Sequence, residues 1–464
     1  MSQYSYDVVV IGAGPVGENV ADRANQGGLE VCIVEQGLLG GECSYYACIP
    51  SKALARPVQA SAATGRLGGL RQAVIDPQGV LSRRDRFIEP DDSGQADWLA
   101  GAGVALARGR GRLDGVRRVV VDSNGEQTVL TARTAVVIAT GTDPAVPPIP
   151  GLAEARPWTN REATTAGYVP AHLVVLGGGP VACELAQAWA GLGSQVTLIE
   201  RGPRLVGRTE DFVSDHLVEA MRDEGITVML GTEATRVERQ TDVEVLTDDG
   251  TVVRADEIIA ALGRRPATSD VGLESIGLQP GDYLDVDDSL AVSGAQDWLY
   301  AAGDVNGRNL LTHMGKYQAR VAGDVIAARA AGRSADGPAH SAWADSSAST
   351  QVIFTDPEIC AVGLTEASAR DSGIDVRTVE YDMGAIAGAS LHADGYRGRA
   401  KLVIDEKRRI VVGATFVGQD TADLLHSATI AVAGQVPLDR LWHAVPPFPT
   451  ISEIWLRLLE TYGL

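Results

Sequence analysis

The same local pattern, a strand running into a glycine-rich turn and then a helix, occurs twice in this chain, and that repetition limits its fold most. The apolar run Tyr6–Ile11 reads as a buried parallel strand, followed by Gly12-Ala13-Gly14-Pro15-Val16-Gly17. A helical stretch then reaches about Gly27, and the strand from Glu30 to Val34 ends at Glu35. The second copy runs from His172–Leu176 through Gly177-Gly178-Gly179-Pro180-Val181-Ala182 and a helix to the strand Val196–Ile199, ending at Glu200. In each copy the acidic residue falls 23 positions after the first glycine. Gly12 and Gly177 permit a tight turn, and Gly14 and Gly179 let the backbone approach a pyrophosphate. Gly17 lets the helix pack closely on the strand, so the helix N-terminus meets the negative charge. Glu35 is placed to hold ribose hydroxyls. A single signature of this kind is weak evidence, but two with matched spacing and strand context are strong.

Two dinucleotide sites suggest two dinucleotides that exchange electrons, and FAD with NAD(P)H is the natural pair, because flavin accepts hydride from nicotinamide. The expected fold is α/β with two Rossmann-like dinucleotide-binding domains. The second site is chemically mixed. Glu200 suits the free 2′-hydroxyl of NAD and repels the extra phosphate of NADP. Ala182 at the third glycine position and the nearby Arg201, Arg204 and Arg208 point the other way. NAD(H) is favoured over NADP(H).

A chain of 464 residues is too long for one hydrophobic core, so two to four domains are expected. Forty basic and 60 acidic residues leave a net charge of −20, which argues against a nucleic-acid or anionic-membrane partner. No apolar run approaches the ~20 residues that span a bilayer, and Met1-Ser2-Gln3 leads into an apolar strand without a basic segment. A cytoplasmic protein is the expectation. Five cysteines, Cys32, Cys43, Cys48, Cys183 and Cys360, are too few and too scattered for a disulfide scaffold. Cys32 and Cys360 sit in apolar runs and read as core residues.

After the first strand–helix–strand unit comes Gly40-Gly41-Glu42-Cys43-Ser44-Tyr45-Tyr46-Ala47-Cys48-Ile49-Pro50-Ser51-Lys52. This stretch resembles the signature of the class I flavoprotein disulfide reductases, which include dihydrolipoyl dehydrogenase, glutathione reductase and mercuric reductase. The resemblance implies that Cys48 lies against the flavin and exchanges electrons with it, while Cys43 is the outer sulfur facing a substrate. Two cysteines five apart at the start of a helix can bridge if its first turn is distorted, and the helix N-terminus favours a thiolate. Lys52 is one of only four lysines, with Lys316, Lys401 and Lys407. By the resemblance it lies near flavin N5 and pairs with a glutamate of the second nucleotide helix, the position of Glu184.

The resemblance extends along nearly the whole chain. Ala139-Thr140-Gly141 matches the turn at the crossing between the nucleotide domains, and Gly263-Arg264-Arg265-Pro266 the return. Tyr300-Ala301-Ala302-Gly303-Asp304 matches the second FAD strand, whose aspartate bonds the flavin ribityl chain. His313 falls near the cofactor and reads as a packing residue. Residues from about Gly332 to Ser349 are small and polar and read as a linker. Phe354–Glu358 and Val362–Glu366 then match a C-terminal α+β interface domain that builds a homodimer. The implied domains are FAD-binding 1–155 and 270–335, NAD(P)-binding 156–269, and dimerisation 345–464.

The ending departs from the family. Its histidine–proline–threonine box, with a glutamate following, aligns Pro449, Thr450 and Glu453 and puts Phe448 where the acid–base histidine stands. A phenyl ring moves no proton, and losing such a base commonly costs ~10²–10⁴ in rate. His443, five residues upstream, substitutes only if the backbone deviates near Pro446 and Pro447; Glu453, without its histidine partner, reads as a helix-start residue. The expected enzyme passes electrons from NAD(P)H through FAD and the Cys43–Cys48 disulfide to a small-molecule acceptor, and is a poor dihydrolipoamide or glutathione reductase. Two alternatives stay open: a quinone-type reductase acting directly from the flavin, and a flavin-bound redox sensor.

Overall fold

The computed structural model describes residues 2–464, which fall into two compact units. The first comprises the chain up to Ile49, Ile88–Pro144 and Arg264–Asp345; the second comprises Pro50–Phe87, Ala145–Gly263 and Ser346–Leu464.

The first unit is built on a seven-stranded sheet. Ala105–Arg108, Val31–Glu35, Ser2–Ile11 and Glu126–Ile138 run parallel, with Leu299–Ala301 also parallel to Glu126–Ile138. Arg118–Ser123 and Arg110–Leu113 add an antiparallel edge. Val8, Val9 and Val10 are fully buried on consecutive positions, as expected of a parallel strand covered on both faces. The helix Pro15–Gln26 packs on the helix Thr312–Ala330 where Gly323 lies; a Cβ there would come 2.7 Å from Arg23 Cβ. The contact is closed by the Arg23–Asp324 ion pair at 2.6 Å.

The second unit holds a four-stranded parallel sheet ordered Thr227–Leu230, Gln195–Glu200, His172–Leu176, Glu257–Ala260. It also holds a five-stranded antiparallel sheet ordered Thr350–Ile353, Glu358–Gly363, Ile410–Gly418, Arg399–Asp405, Val376–Asp382. One apolar cluster joins them: Trp189, Leu198 and Ile259 with Ile353, Ile359 and Val417, together with Leu54 and Leu81. The fully buried Arg84 donates to the carbonyls of Thr164 (2.6 Å) and Ala166 (2.9 Å) and pairs with Asp85, so its charge is satisfied rather than stranded. The fold is the α/β class read from the sequence, with two Rossmann-type sheets and a C-terminal α+β sheet.

The stretch read as a linker is more ordered than its composition suggests. It contains a 3₁₀ turn at Pro338–His340 and a short helix at Ala344–Ser347. Ala342 is buried and its N–H donates to Asp288 O at 2.7 Å, while the Asp345 carboxylate accepts from Gln318 at 2.9 Å. No helix among the described residues is long and apolar enough to cross a membrane.

Candidate active site

The cysteine pair is held by two helices rather than by one with a distorted first turn. Cys43 lies in the helix Gly41–Tyr45 and Cys48 opens the helix Cys48–Gly65. Between them Tyr46, at φ −133°, leaves helical geometry. Tyr45 is buried, and its hydroxyl donates to Asp91 O at 3.3 Å, which anchors the first helix. Gly40 and Gly41 have φ of +90° and +52°, and a Cβ on Gly41 would come 3.0 Å from Gly14 Cα. The redox motif therefore starts against the first phosphate loop.

Both cysteines are thiols here and half-buried. Cys43 shares a hydrogen bond with Cys48, and that bond, followed by burial, pushes its thiol well above the usual range. Cys48 Sγ lies 3.3 Å from the Thr312 hydroxyl at the start of the helix Thr312–Ala330. Thr312 is the neighbour of His313, the residue read as packing near the cofactor, whose side chain is exposed. A one-residue shift on a helix turns a side chain by about 100°, so the family position alone did not choose between them. Cys32, Cys183 and Cys360 are buried. Burial pushes Cys32 and Cys360 up to about 12 and raises Cys183 as well, so the three are poor nucleophiles at neutral pH.

The phosphate loops fit dinucleotides. Gly12 and Gly177 lie at φ +101° and +108°, and nothing stands within 4 Å of a Cβ built on Gly14 or Gly179. A Cβ on Gly17 would overlap the Gly12 carbonyl, whereas the second helix accommodates the buried Ala182 at that position. Neither helix has a side-chain cap at Gly14 or Gly179, which suits a pyrophosphate taking the terminal amides. Glu35 accepts from Ala13 N and Gly37 N, both at 2.7 Å, and Glu200 accepts from Gly202 N at 2.6 Å. Arg201 and Arg208 are exposed, and Arg204 pairs with Asp211.

Around the second FAD strand, Gly303 has φ +82° and a Cβ there would come 2.9 Å from Val16 Cγ2. Asp304 accepts from the Thr142 hydroxyl at 2.9 Å, and burial raises its carboxyl. Thr140 donates to Ala267 O at 2.8 Å, and Ala267 N to Gly141 O at 3.0 Å, so the two crossings are tied together. Gly263, at φ +117°, accepts from Ala145 N at 2.9 Å. Three residues not chosen from the sequence join this region. Arg264 donates to Thr142 O at 2.7 Å and lies 3.8 Å from Glu42 and 4.0 Å from Asp304. Glu18, one residue past Gly17, has a buried Oε1 without a hydrogen bond, and burial pushes its carboxyl up to about 7 against the pull of Lys316. The signal for Arg264 and Glu42 was present, since both lie inside quoted motifs.

In the second unit, Lys52 Nζ donates to Glu184 Oε2 at 2.6 Å, the pairing that the resemblance implies. The other Glu184 oxygen accepts from Phe354 N at 2.9 Å, and the Phe354 ring centroid lies 4.9 Å from Lys52 Nζ.

Residues 6–330 match the family described as pyridine nucleotide-disulphide oxidoreductase, and residues 349–458 match its dimerisation domain. The chain belongs to the pyridine nucleotide-disulphide oxidoreductases. Among these oxidoreductases it is 32% identical to a dihydrolipoyl dehydrogenase of Thermus scotoductus, covering 98% of this chain and 97% of that one. It is 31% identical to a mercuric reductase of Streptomyces lividans, covering 98% and 96%. Its fold matches the HOCl-induced flavoprotein disulfide reductase RclA from Escherichia coli, solved as a Cu(II) complex, with a TM-score of 0.85, 24% identity and coverage of 98% and 99%. LpdA of Mycobacterium tuberculosis matches with a TM-score of 0.85 at 23% identity, covering both chains fully. The chain is an NAD(P)H-dependent flavoprotein oxidoreductase that uses FAD and carries the family's dimerisation domain.

The C-terminal segment of this oxidoreductase carries the residues at which the sequence departs. After the short helix Leu438–Leu441 the chain forms an exposed turn in which Phe448 is 74% exposed and His443 is also exposed. Glu453 is 5% exposed and precedes the helix Ile454–Tyr462. Its Oε1 accepts from Arg457 at 2.7 Å, and its buried Oε2 has no hydrogen bond. Arg457, one turn into that helix, was not singled out from the sequence, although its i+4 spacing from Glu453 was legible.

Proposed function

We propose that this enzyme takes electrons preferentially from NADH and passes them through the Cys43–Cys48 pair to an acceptor that needs no histidine-assisted protonation, and that it is a poor dihydrolipoamide or glutathione reductase. The observation that carries this reading is the replacement of the acid–base histidine by Phe448, with Glu453 engaged by Arg457 instead.

In this reading the FAD domain comprises residues 1–155 and 270–335, the NAD(P) domain 156–269, and the dimerisation domain 345–464. Gly12, Gly14 and Gly17 receive the FAD pyrophosphate, Glu35 the ribose, and Asp304, with Thr140 and Gly141 nearby, the ribityl chain. Gly177, Gly179 and Ala182 receive the nicotinamide dinucleotide, with Gly263 at the return crossing. Glu200 selects its free 2′-hydroxyl, while Arg201 stays in solvent. When bound, FAD accepts a hydride from nicotinamide and delivers two electrons to the disulfide. Lys52, held by Glu184, supplies positive charge toward flavin N5. Cys48 is the inner sulfur, steadied by Thr312. Cys43 is the outer sulfur, and it exchanges its proton with water when it attacks an acceptor, because Phe448 offers no base to remove it. The cytoplasm, a reducing compartment, suits a chain whose five cysteines form no disulfide scaffold.

Anaerobic titration with NADH and NADPH tests this reading. Long-wavelength charge-transfer absorbance should develop with NADH at lower concentration and be lost in Cys48→Ser. Turnover should be found with small disulfides that leave as stable anions and should be poor with dihydrolipoamide. Dihydrolipoamide turnover in the wild type within tenfold of a Phe448→His, Arg457→Leu double variant would sink the proposal. Full quinone turnover retained in Cys48→Ser would instead assign the acceptor step to the flavin directly.

A further inference from the structure

The loop that joins the first two strands of the dimerisation sheet holds both members of the Lys52–Glu184 pair. Phe354 presents its ring to Lys52 Nζ at 4.9 Å and its backbone N–H to Glu184 Oε1 at 2.9 Å. The loop is itself fixed from two helices. Gln59 donates to Phe354 O at 3.0 Å, and Arg66 grips both Asp356 carboxylate oxygens at 2.8 and 2.7 Å. Gln187 donates to Asp356 O at 2.7 Å and accepts from Asp356 N at 2.9 Å. Gln59 and Arg66 follow Lys52 along the chain, and Gln187 lies on the Glu184 helix, so the loop is clasped by the segments that carry the pair.

The pair needs such support. The Lys52 side chain is 35% exposed, and a half-exposed ammonium on a four-carbon stem with a single carboxylate partner is weakly oriented. The Phe354 amide fixes one Glu184 oxygen and leaves the other for Lys52. An aromatic face attracts the ammonium without an acceptor atom, so two N–H donors remain available beside the one given to Glu184.

We propose that Phe354 is a positioning residue that sets the direction of the Lys52 ammonium, so that the dimerisation segment controls the charge presented to the nicotinamide–flavin reaction. The inference rests on the role for Lys52 proposed above.

The test uses the flavin-loaded enzyme with lysine labelled with ¹³C at Cε. Only four lysines are present, so the signal assigned by Lys52→Arg is separable. It should be shifted upfield by the ring current in the wild type, unshifted in Phe354→Leu, and restored in Phe354→Tyr. Stopped-flow bleaching of the flavin by NADH should be about tenfold slower in Phe354→Leu, the size of one desolvated cation–ring contact, and recover in Phe354→Tyr. Phe354→Leu bleaching at the wild-type rate after the ring-current shift is lost would overturn the positioning role. So would an unshifted Lys52 signal in the wild type. Failure of NADH to bleach the wild-type flavin would instead overturn the function proposed above, while the lysine signal would still report the contact.

Discussion

A thiol that exchanges with a substrate needs a group nearby to take its proton; here Cys48 and burial raise the Cys43 thiol, and in the proposed reading Phe448 stands where the base belongs. Restoring a histidine meets a second obstacle, because Arg457 already engages Glu453 at 2.7 Å. Phe448→His alone should therefore raise dihydrolipoamide turnover only modestly, and adding Arg457→Leu should raise it further, to at least about tenfold above the parent. Equal rates in the single and double variants would show that Arg457 does not matter. Arg457→Leu by itself leaves the buried Glu453 unpaired and should lower stability by about 1–3 kcal/mol in denaturant melts. Glu18 gives a pH signature. Its carboxyl, ordinarily near 4.5, is pushed by burial to about 7. The folded state therefore binds the proton more tightly than the unfolded state, and this contribution is full below about pH 4.5 and lost as pH rises through 7. Glu18→Gln should match the wild type at pH 4.5 and exceed it at pH 8 by about 1–3 kcal/mol; a gain at both pH values would count against the buried charge. The cysteines and Lys52 were legible as single positions because their motif is long, and Glu184 because it follows Ala182 on the second nucleotide helix. Thr312, Arg457 and Phe354 were not, since each acts through a contact that its own neighbours in the sequence do not specify.

At the scale of elements, the two strand–turn–helix units differ in how closely their helices approach the turn. A Cβ on Gly17 overlaps Gly12, but Ala182 is accommodated at the same place in the second unit. Gly17→Ala should thus disturb the fold of the FAD domain, lowering its stability by about 1–3 kcal/mol. Gly14→Ala meets open space and should fold normally but retain less FAD, because the methyl group intrudes where a pyrophosphate approaches. Flavin-to-protein absorbance ratios and thermal melts separate the two, and normal FAD content in Gly14→Ala would remove the pyrophosphate from that loop. Both units were readable in advance, since apolar strands, glycine turns and acidic strand ends are local features. The break between the two cysteine-bearing helices was not. It follows from Tyr45 being buried and bonded to Asp91 O at 3.3 Å, an anchor 46 residues away.

For the whole molecule, the exposed turn from Trp442 to Thr450 carries Val445 at 82% and Phe448 at 74% exposure, on a segment matching a dimerisation domain. Apolar side chains this open in one chain are suited to burial against a second copy. Val445→Asp with Phe448→Asp should shift sedimentation toward the monomer, and an unchanged dimer would place the turn outside the interface. What the sequence determined by itself is the pair of nucleotide-binding units, the redox motif and the dimerisation segment that follows them. These rest on backbone constraints and residue chemistry within short stretches, where only glycine permits the turn and only certain side chains carry a proton. The tertiary structure decided which groups meet: Thr312 on Cys48, 264 positions apart, Phe354 on Glu184, 170 apart, and Arg457 on Glu453. Such contacts depend on how separate elements dock and in what register, which the local apolar pattern leaves open, so the chemistry around the cysteines became specific only once the chain was folded.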